Sequence, residues 1–301
     1  MDEPNEAAWA FAAYEGVRGR LPAASAVRTP TAHRSLSALI DLYDVFLLDA
    51  FGVLNIGETP IAGAPERVLE LRAAGKRVMV VTNAASYPKR VLLERYRRLG
   101  FEFPAEDVVS SRETLLAALK REPERQWGIM TPAAYGREEL EHLDIAFLGD
   151  DPVVYDRVDG FILMGSGEWT EARQALLEAS LQASPRPVFV GNPDIVAPRE
   201  GGMTREPGYF AHRVADAAGV DPHFFGKPFP AIYEIVLSRV GAMPRERIAM
   251  VGDTLHTDIL GGAGMGFGTV LVTDHGALKG EDIEAACARA GIYPTHTVRD
   301  T

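Results

Sequence analysis

Short runs of apolar residues recur along the chain, next to segments whose apolar residues have helical spacing. The first run, residues 45–48, is continuously apolar, which is typical of a strand buried on both faces of a parallel sheet. Runs of the same kind occur at 78–81, 248–251 and 269–272. The neighbouring helical segments are 65–74, 88–99, 230–240 and 281–290. This repeated alternation of strand and helix predicts an α/β fold with a doubly wound parallel sheet.

A second alternating block lies between about residues 122 and 220. It contains strand-like runs at 161–164 and 188–190 and a helical segment at 171–183. Ahead of the first strand, Leu36 and Leu39 belong to a series of apolar residues at helical spacing. We therefore predict an N-terminal helical extension over 1–35, a core formed by 36–122 and 222–301, and an inserted domain over 123–221.

Composition narrows the class of partner and the compartment. The 301 residues suggest about two domains. The 42 acidic and 31 basic residues give a net charge of −11 without a long basic run, so a nucleic-acid polymer or an anionic membrane is a disfavoured partner. No stretch approaches the roughly 18 apolar residues of a membrane span. The single cysteine, Cys287, and an acidic N-terminus unlike a signal peptide predict a cytoplasmic protein.

Polar residues stand where the predicted strands end. Ligands of doubly wound sheets bind at the carboxyl ends of the strands, so we expect these residues to converge. Taken alone, a polar residue at such a position is more often a helix cap or a loop anchor. The set as a whole favours a catalytic or ligand-binding site. The set consists of Asp49, Phe51, Gly52, Thr82, Asn83, Lys227, Asp253 and Asp258.

The residue types in this set suit a phosphoryl group and a divalent cation. Asp49 is a carboxylate that could attack, and Asp253 and Asp258 could hold a hard cation. Several acids at close range repel one another unless a cation neutralises them, and magnesium prefers oxygen ligands. Thr82 and Lys227 suit an oxyanion, most simply a phosphoryl group.

Four motifs, in order, resemble the haloacid dehalogenase (HAD) superfamily of magnesium-dependent phosphotransferases. They are DAFGVL at Asp49, VVTN at Thr82, GKP at Lys227 and GDTLHTD at Asp253. The resemblance covers about residues 41–301 and implies a HAD-like core of the Rossmann type.

The resemblance also implies a role for each motif residue. Asp49 would be the nucleophile that forms an aspartyl-phosphate, Thr82 would bind the phosphoryl oxygens, and Lys227 would neutralise charge. The implied phosphate-binding residues are Asp49, Phe51, Gly52, Thr82, Asn83 and Lys227. The implied Mg²⁺ ligands are Asp49, Asp253 and the main-chain carbonyl of Phe51, with Asp258 supporting the metal.

Spacing refines the resemblance. Asp49 and Thr82 are 33 positions apart, whereas Thr82 and Lys227 are 145 apart, so the cap lies in the second interval. An α/β cap there, of C2a type, followed by the sequence GNPD at 191–194, resembles subfamily IIA. That class contains p-nitrophenyl phosphatases, NagD-like nucleotide and sugar phosphatases and pyridoxal phosphatases, and the N-terminal region resembles a bacterial branch of it. The cap residues expected to face the substrate are Ser166, Glu168, Asn192 and Asp194.

One position departs from the family pattern. Most phosphatases of the superfamily carry an aspartate two residues after the nucleophile as general acid and base, and here that residue is Phe51. General acid–base catalysis typically contributes about 10² to 10⁴ in rate. Three interpretations stay open: a substrate with a good leaving group such as an acyl or aryl phosphate, a substitute acid, or a weak or non-catalytic phospho-metabolite binding protein. The candidate substitutes are His256, Tyr87, Glu58, Asn55 and Glu168.

The sequence therefore predicts a magnesium-dependent phosphatase for a small phosphorylated metabolite of the sugar, nucleotide or pyridoxal phosphate class. A homodimer is also open, because cap-to-cap dimers are common in the resembling class.

Overall fold

The computed structural model describes residues 6–24 and 28–301. Within these residues the helices are α1 (Glu6–Gly16), α2 (Ala64–Ala73), α3 (Lys89–Arg98), α4 (Ser111–Leu119), α5 (Pro152–Arg157), α6 (Glu171–Ala183), α7 (Pro207–Ala218), α8 (Pro230–Val240), α9 (Leu260–Gly264) and α10 (Ile283–Ala290). The strands are β1 (Thr31–Ser35), β2 (Val45–Leu48), β3 (Asn55–Ile56), β4 (Thr59–Pro60), β5 (Arg77–Thr82), β6 (Val108–Ser110), β7 (Gln126–Met130), β8 (Asp144–Phe147), β9 (Gly160–Leu163), β10 (Val188–Val190), β11 (Val196–Arg199), β12 (Gly202–Arg205), β13 (His223–Phe224), β14 (Ile248–Gly252), β15 (Gly268–Val272) and β16 (His296–Asp300).

A seven-stranded parallel sheet forms the core, in the order β1-β16-β15-β14-β2-β5-β6. All residues of β2 are buried, because apolar clusters cover both faces of the sheet. In register, Leu48 at the end of β2 lies between Val251 of β14 and Val80 of β5. The residues that follow these strands therefore meet at one edge of the sheet, as the doubly wound fold predicts.

The predicted N-terminal extension differs from the structure at residues 31–35. Of the described residues before position 31, those of α1 and of a short 3₁₀ turn, Arg18–Arg20, are helical. Residues 31–35 instead form β1 at the edge of the core sheet. β1 pairs with β16 in the register Thr31 to His296. Its partner lies more than 260 positions away in the sequence, so local periodicity carries no signal of the pairing.

A second parallel sheet, in the order β13-β10-β9-β7-β8, lies in the inserted segment. Phe161, Leu177 and Phe210 are among the residues of its apolar core. An antiparallel hairpin formed by β11 and β12 extends from it. The sheet includes β13, which lies just beyond the predicted end of the cap at 221, and Lys227 follows β13 by three residues. The residue limits of the domains stay a prediction.

None of the helices in the described ranges is long and apolar enough to span a bilayer.

Candidate active site

Asp49 and Lys227 form an ion pair at the carboxyl end of β2. The Asp49 N–H donates to the carbonyl of Val251 at 2.9 Å, which fixes the residue at the sheet edge. Nζ of Lys227 lies 2.5 Å from Oδ1 of Asp49 and 2.7 Å from Oδ1 of Asp258. Burial favours the neutral amine, but Asp258, Asp49 and Asp194 outweigh it and raise the lysine pKa. Lys227 is therefore a buried ammonium that faces two carboxylates.

Three carboxylates stand together beside this lysine. Oxygens of Asp49, Asp253 and Asp258 all lie within 4.8 Å of one another. Burial, opposed by Lys227 and reinforced by Asp258, raises the pKa of Asp49 to about 6. Burial and the two neighbouring acids raise the pKa of Asp253 to about 8. One ammonium cannot balance three carboxylates, so this all-oxygen donor set fits a hard divalent cation such as Mg²⁺.

A main-chain N–H and a side-chain hydroxyl fix the carboxylate of Asp253. Its Oδ2 accepts from the N–H of Ala277 at 2.7 Å, and its Oδ1 accepts from the hydroxyl of Thr254 at 3.1 Å. Gly52 and Gly276, both with φ of +79°, pack directly against it. A Cβ at Gly52 would lie 2.5 Å from Cγ of Asp253, and one at Gly276 would lie 1.8 Å from Oδ2. Both positions therefore require glycine. The phosphate-binding role expected for Gly52 stays a prediction.

Thr82 and Asn83, at the end of β5, have different environments. Thr82 lines the same cavity as Asp49, and its Oγ1 accepts from the N–H of Ala84 at 3.2 Å. The Asn83 side chain instead lies behind the cavity wall. Its Oδ1 accepts from the N–H of Lys227 at 2.7 Å, and its Nδ2 donates to the Lys227 carbonyl at 2.9 Å and to Oδ1 of Asp194 at 2.8 Å. Asn83 thus orients Lys227 rather than contacting the cavity.

A cavity of about 60 Å³ lies above these residues, which is room for only a few water molecules. Its core wall, as we name it, contains Asp49, Phe51, Thr82 and Asp253. Its cap wall, opposite, contains Asn192, Asp194, Arg199 and Glu206. A wider, open groove on the cap continues from the cavity and shares Arg199 and Glu206 with it.

Of the four predicted cap residues, two line the cavity, one lines the adjoining groove and one lines neither. Asn192 and Asp194 line the cavity, and Ser166 lines the adjoining groove, where its hydroxyl donates to the carbonyl of Arg205 at 2.7 Å. Glu168 is exposed and lines neither space, although it was expected to face the substrate. Its carbonyl accepts from Arg173 because the loop turns that residue toward α6.

Phe51 occupies the position of the usual general acid, and two guanidinium groups pack on its ring. Arg95 lies 5.0 Å and Arg199 lies 4.3 Å from the ring centroid. Arg95 comes from α3 in the core and is bound to Glu58 at 2.8 Å, whereas Arg199 comes from the cap hairpin. Phe51 thus joins the two walls of the cavity by packing and has no proton to transfer.

Of the five candidate substitutes for the acid, the structure brings only Tyr87 to the cavity. Glu58 binds Arg95, and Asn55 is buried and donates to the carbonyl of Gly57. His256 is turned away toward Glu15, and Glu168 is exposed.

Sequence reasoning missed the pair of Arg199 and Glu206. Nη2 of Arg199 donates to Oε1 of Glu206 at 2.9 Å, and the hydroxyl of Thr204 donates to the same oxygen at 2.9 Å. Asn192 donates to Oε2 at 3.2 Å. Burial raises the pKa of Glu206 despite these partners. The consecutive glycines at 201–202, with Arg199 two positions before them and Arg205 three positions after them, are the available sequence signal for a hairpin.

Comparisons with known proteins identify the family and support the fold. Residues 46–146 match the family model of haloacid dehalogenase-like hydrolases, and residues 224–300 match a second, HAD-hydrolase-like model. The glycerol-3-phosphate phosphatase of Homo sapiens is 32% identical over an alignment of 277 residues. The match covers 80% of this chain and 82% of that protein. A possible sugar phosphatase of the HAD superfamily from Cytophaga hutchinsonii has a TM-score of 0.77 at 25% identity, with 90% and 98% of the two chains covered. The glycerol phosphate phosphatase of Mycobacterium tuberculosis, in complex with magnesium, has a TM-score of 0.61 at 26% identity, with 78% and 68% covered.

The chain belongs to the haloacid dehalogenase-like hydrolases. It is a phosphoric monoester hydrolase of that superfamily. This confirms the family predicted from the four motifs and the fold class predicted from the alternation of strands and helices.

Proposed function

We propose that the protein hydrolyses a small phosphomonoester in the presence of Mg²⁺, through an aspartyl-phosphate on Asp49. The observation that carries this proposal is the contact of Asp49 with the buried Lys227, beside Asp253 and Asp258. A nucleophilic carboxylate, an ammonium and a cation site then share one edge of the sheet. This is the arrangement that an anionic phosphoryl group requires.

In the first step, an oxygen of Asp49 attacks phosphorus, and the bond from phosphorus to the leaving oxygen breaks. The leaving oxygen departs as an alkoxide that takes a proton from water. Lys227 neutralises the charge shared between Asp49 and the phosphoryl group, and Thr82 lies where its hydroxyl would bind a phosphoryl oxygen. Magnesium, held by Asp49, Asp253 and the carbonyl of Phe51 with Asp258 behind them, would supply the remaining positive charge. Water then cleaves the phosphorus–oxygen bond of the aspartyl-phosphate and restores Asp49.

The cap wall and the size of the cavity support a narrower substrate class. A cavity of about 60 Å³ favours a small leaving group. Asn192, Arg199 and Glu206 are suited to its hydroxyl or other polar groups. Two relatives are named for glycerol phosphate and a third for sugar phosphate, which supports polyol and sugar phosphates ahead of nucleotide or pyridoxal phosphates.

An acyl or aryl phosphate is the second candidate, and Phe51 is the observation that favours it. Because Phe51 cannot protonate the leaving oxygen, a substrate whose leaving group is a weak base would lose least. The alternative of a weakly active phospho-metabolite binding protein rests on the same residue.

The test is turnover of a phosphate panel by the wild type and by Asp49→Asn. The panel contains glycerol phosphate, a hexose phosphate, a nucleotide, pyridoxal phosphate, acetyl phosphate and p-nitrophenyl phosphate, each with Mg²⁺ and with EDTA. Asp49→Asn is expected to abolish turnover of p-nitrophenyl phosphate, whereas Asp150→Asn, an exposed cap residue, is expected to leave it unchanged. Unchanged activity in Asp49→Asn contradicts the nucleophile.

A further inference from the structure

Helix α1 lies outside the segments that match the family models, yet it contacts both sides of the active-site cleft. Two neighbouring stripes on its surface have the i, i+4 spacing that places residues on one helix face. Phe11 and Glu15 face the loop that carries the predicted metal ligands. Ala10 and Tyr14 face the cap segment around Ile195.

On the core side, α1 fixes the ring of His256. This residue is buried and stands in the chain between the two metal-binding aspartates of the loop. Its Nε2 lies 2.5 Å from Oε1 of Glu15. Tyr14 stacks on the ring at 5.0 Å with planes 8° apart, and Phe11 meets it edge-on at 5.3 Å. Three residues of one helix thus hold one side chain of the metal loop.

The same helix also packs against a second segment that orients a metal ligand. α1 contacts the turn Gly276–Leu278, whose Ala277 N–H donates to Oδ2 of Asp253. Phe11 shares an apolar cluster with Leu278 of this turn and with Leu255 of the metal loop. Displacement of α1 would therefore disturb the metal loop and its main-chain support together.

On the cap side, α1 holds the segment that continues from Asn192 and Asp194. The hydroxyl of Tyr14 accepts from the N–H of Ile195 at 3.1 Å. One turn before Ala10, the carboxylate of Glu6 accepts from the N–H of Met203 in β12 at 3.0 Å. The helix is thus attached to both ends of the cap hairpin.

We propose that α1 is a strap that positions the two sides of the cleft. Glu15 acts through His256 on the loop of Asp253 and Asp258, and so on metal affinity. Tyr14 acts through Ile195 on the cap wall, and so on substrate affinity. The first of these statements rests on the proposed magnesium site.

The experiment separates the two effects in the full-length chain. Calorimetry measures Mg²⁺ binding, and steady-state kinetics with p-nitrophenyl phosphate at saturating Mg²⁺ measures KM and kcat. Glu15→Ala is expected to weaken Mg²⁺ binding about 10-fold, the order expected for a residue that supports metal ligands, and Glu15→Gln to recover part of the loss. Tyr14→Phe keeps the ring but loses the hydrogen bond, so it is expected to raise KM about 10-fold with Mg²⁺ affinity unchanged.

Arg20→Gln is the matched control, because it removes only the exposed ion pair of Arg20 with Asp216 from the same N-terminal region. It is expected to change neither Mg²⁺ affinity nor KM. Thermal unfolding of every variant shows whether it is folded, and if Glu15→Ala is not, the comparison of Glu15→Gln and Tyr14→Phe with the wild type decides.

Two results would contradict the proposal that α1 is a strap. The first is wild-type Mg²⁺ affinity in the Glu15 variants. The second is an equal loss of Mg²⁺ affinity and of substrate affinity in the Glu15, Tyr14 and Arg20 variants alike. A wild-type protein that fails to bind Mg²⁺ contradicts the proposed function itself, and with it the part of the strap that concerns the metal.

Discussion

The two walls of the cavity are built by different means. Every charged group of the core wall follows a buried parallel strand, and main-chain groups such as the Ala277 N–H hold it in place. The cap wall depends on the hairpin β11–β12, where Arg199 and Glu206 support each other through side chains. Under the proposed function, sheet topology would fix the groups that contact the phosphoryl group, whereas a short hairpin would set the environment of the leaving group.

Removal of the metal should affect the core wall most. EDTA is expected to abolish turnover, and Mg²⁺ to restore it. Without metal, the folded-state pKa values of Asp49, about 6, and Asp253, about 8, exceed the ordinary value of 3.8. The folded state then binds more protons than the unfolded state between pH 4 and 8, so this cluster adds stability as pH falls, on the order of several kcal/mol.

Thermal unfolding with EDTA and with Mg²⁺, at pH 5 and pH 8, measures this effect. The rise in Tm caused by Mg²⁺ should be larger at pH 8, because protons compete with the metal at pH 5. At 100 times its Kd, the metal should add about 2.7 kcal/mol. An equal rise at both pH values would mean that the carboxylates are not the binding site.

Loss of Arg199 should affect chiefly the cap wall, where it pairs with Glu206. Arg199→Met leaves the buried Glu206 without its cation, and we expect a cost of about 1–2 kcal/mol, reduced because Arg199 is partly exposed. Burial already raises the pKa of Glu206, and loss of the cation raises it further. The cost is therefore greatest at pH 8 and shrinks as Glu206 becomes protonated at lower pH.

Urea unfolding at pH 8 and pH 5 checks this prediction, with Arg199→Met/Glu206→Gln as the matched variant. The double variant should recover most of the stability, because no buried charge is left unpaired. A cost that is the same at both pH values, without recovery, would show that Arg199 acts by packing on Phe51 instead.

Phe51→Asp tests the place where the two walls meet, and we expect a small effect. An aspartate there would lie near the guanidinium groups of Arg95 and Arg199, which lower its pKa and make it a poor proton donor. Turnover of glycerol phosphate should then rise less than about 10-fold, against the 10² to 10⁴ typical of a general acid. The ratio of rates on glycerol phosphate and p-nitrophenyl phosphate measures this. A gain of 100-fold confined to glycerol phosphate would show that the guanidiniums do not hinder the acid.

The smallest effect at neutral pH is expected at His212, behind the cap wall. Burial lowers its pKa to about 4, and its ring stacks on Phe224 at 4.8 Å. Because the pKa of His212 lies below the ordinary value of 6.5, the neutral ring contributes fully to the free energy of unfolding above pH 6.5. Protonation lowers this free energy by about 3 kcal/mol at pH 4. This sign is opposite to that of the core carboxylates. His212→Phe should remove the dependence in urea unfolding, and persistence of the slope would assign it to another group.

Much of the core wall could be predicted from the sequence. Asp49, Thr82 and Asp253 each follow an apolar run, and parallel strands bring their carboxyl ends to one edge. Lys227 follows only the two-residue apolar run 224–225, which is a weaker signal than the runs that precede the other three residues.

Asn192 and Asp194 of the cap wall were predicted, but the hairpin that carries Arg199 could not be predicted in the same way. β11 contains Pro198 and ends in Arg199, so neither an alternating nor a continuous apolar pattern marks it. The contact of Glu15 with His256 joins residues 241 positions apart, and the edge strand β1 likewise depends on a distant partner. Such contacts depend on the packing of the whole chain, and the local sequence pattern does not predict them.

The short tether between β13 and Lys227 has a consequence for protein engineering. β13 is hydrogen-bonded into the cap sheet, while Lys227, three residues later, is clamped by Asn83 of the core. Exchange of caps between relatives to change substrate preference would therefore place its second junction within a few residues of Lys227. Chimeras that take residues 223–227 and Asn83 from the same parent protein should keep turnover. A junction inside that segment is expected to abolish it.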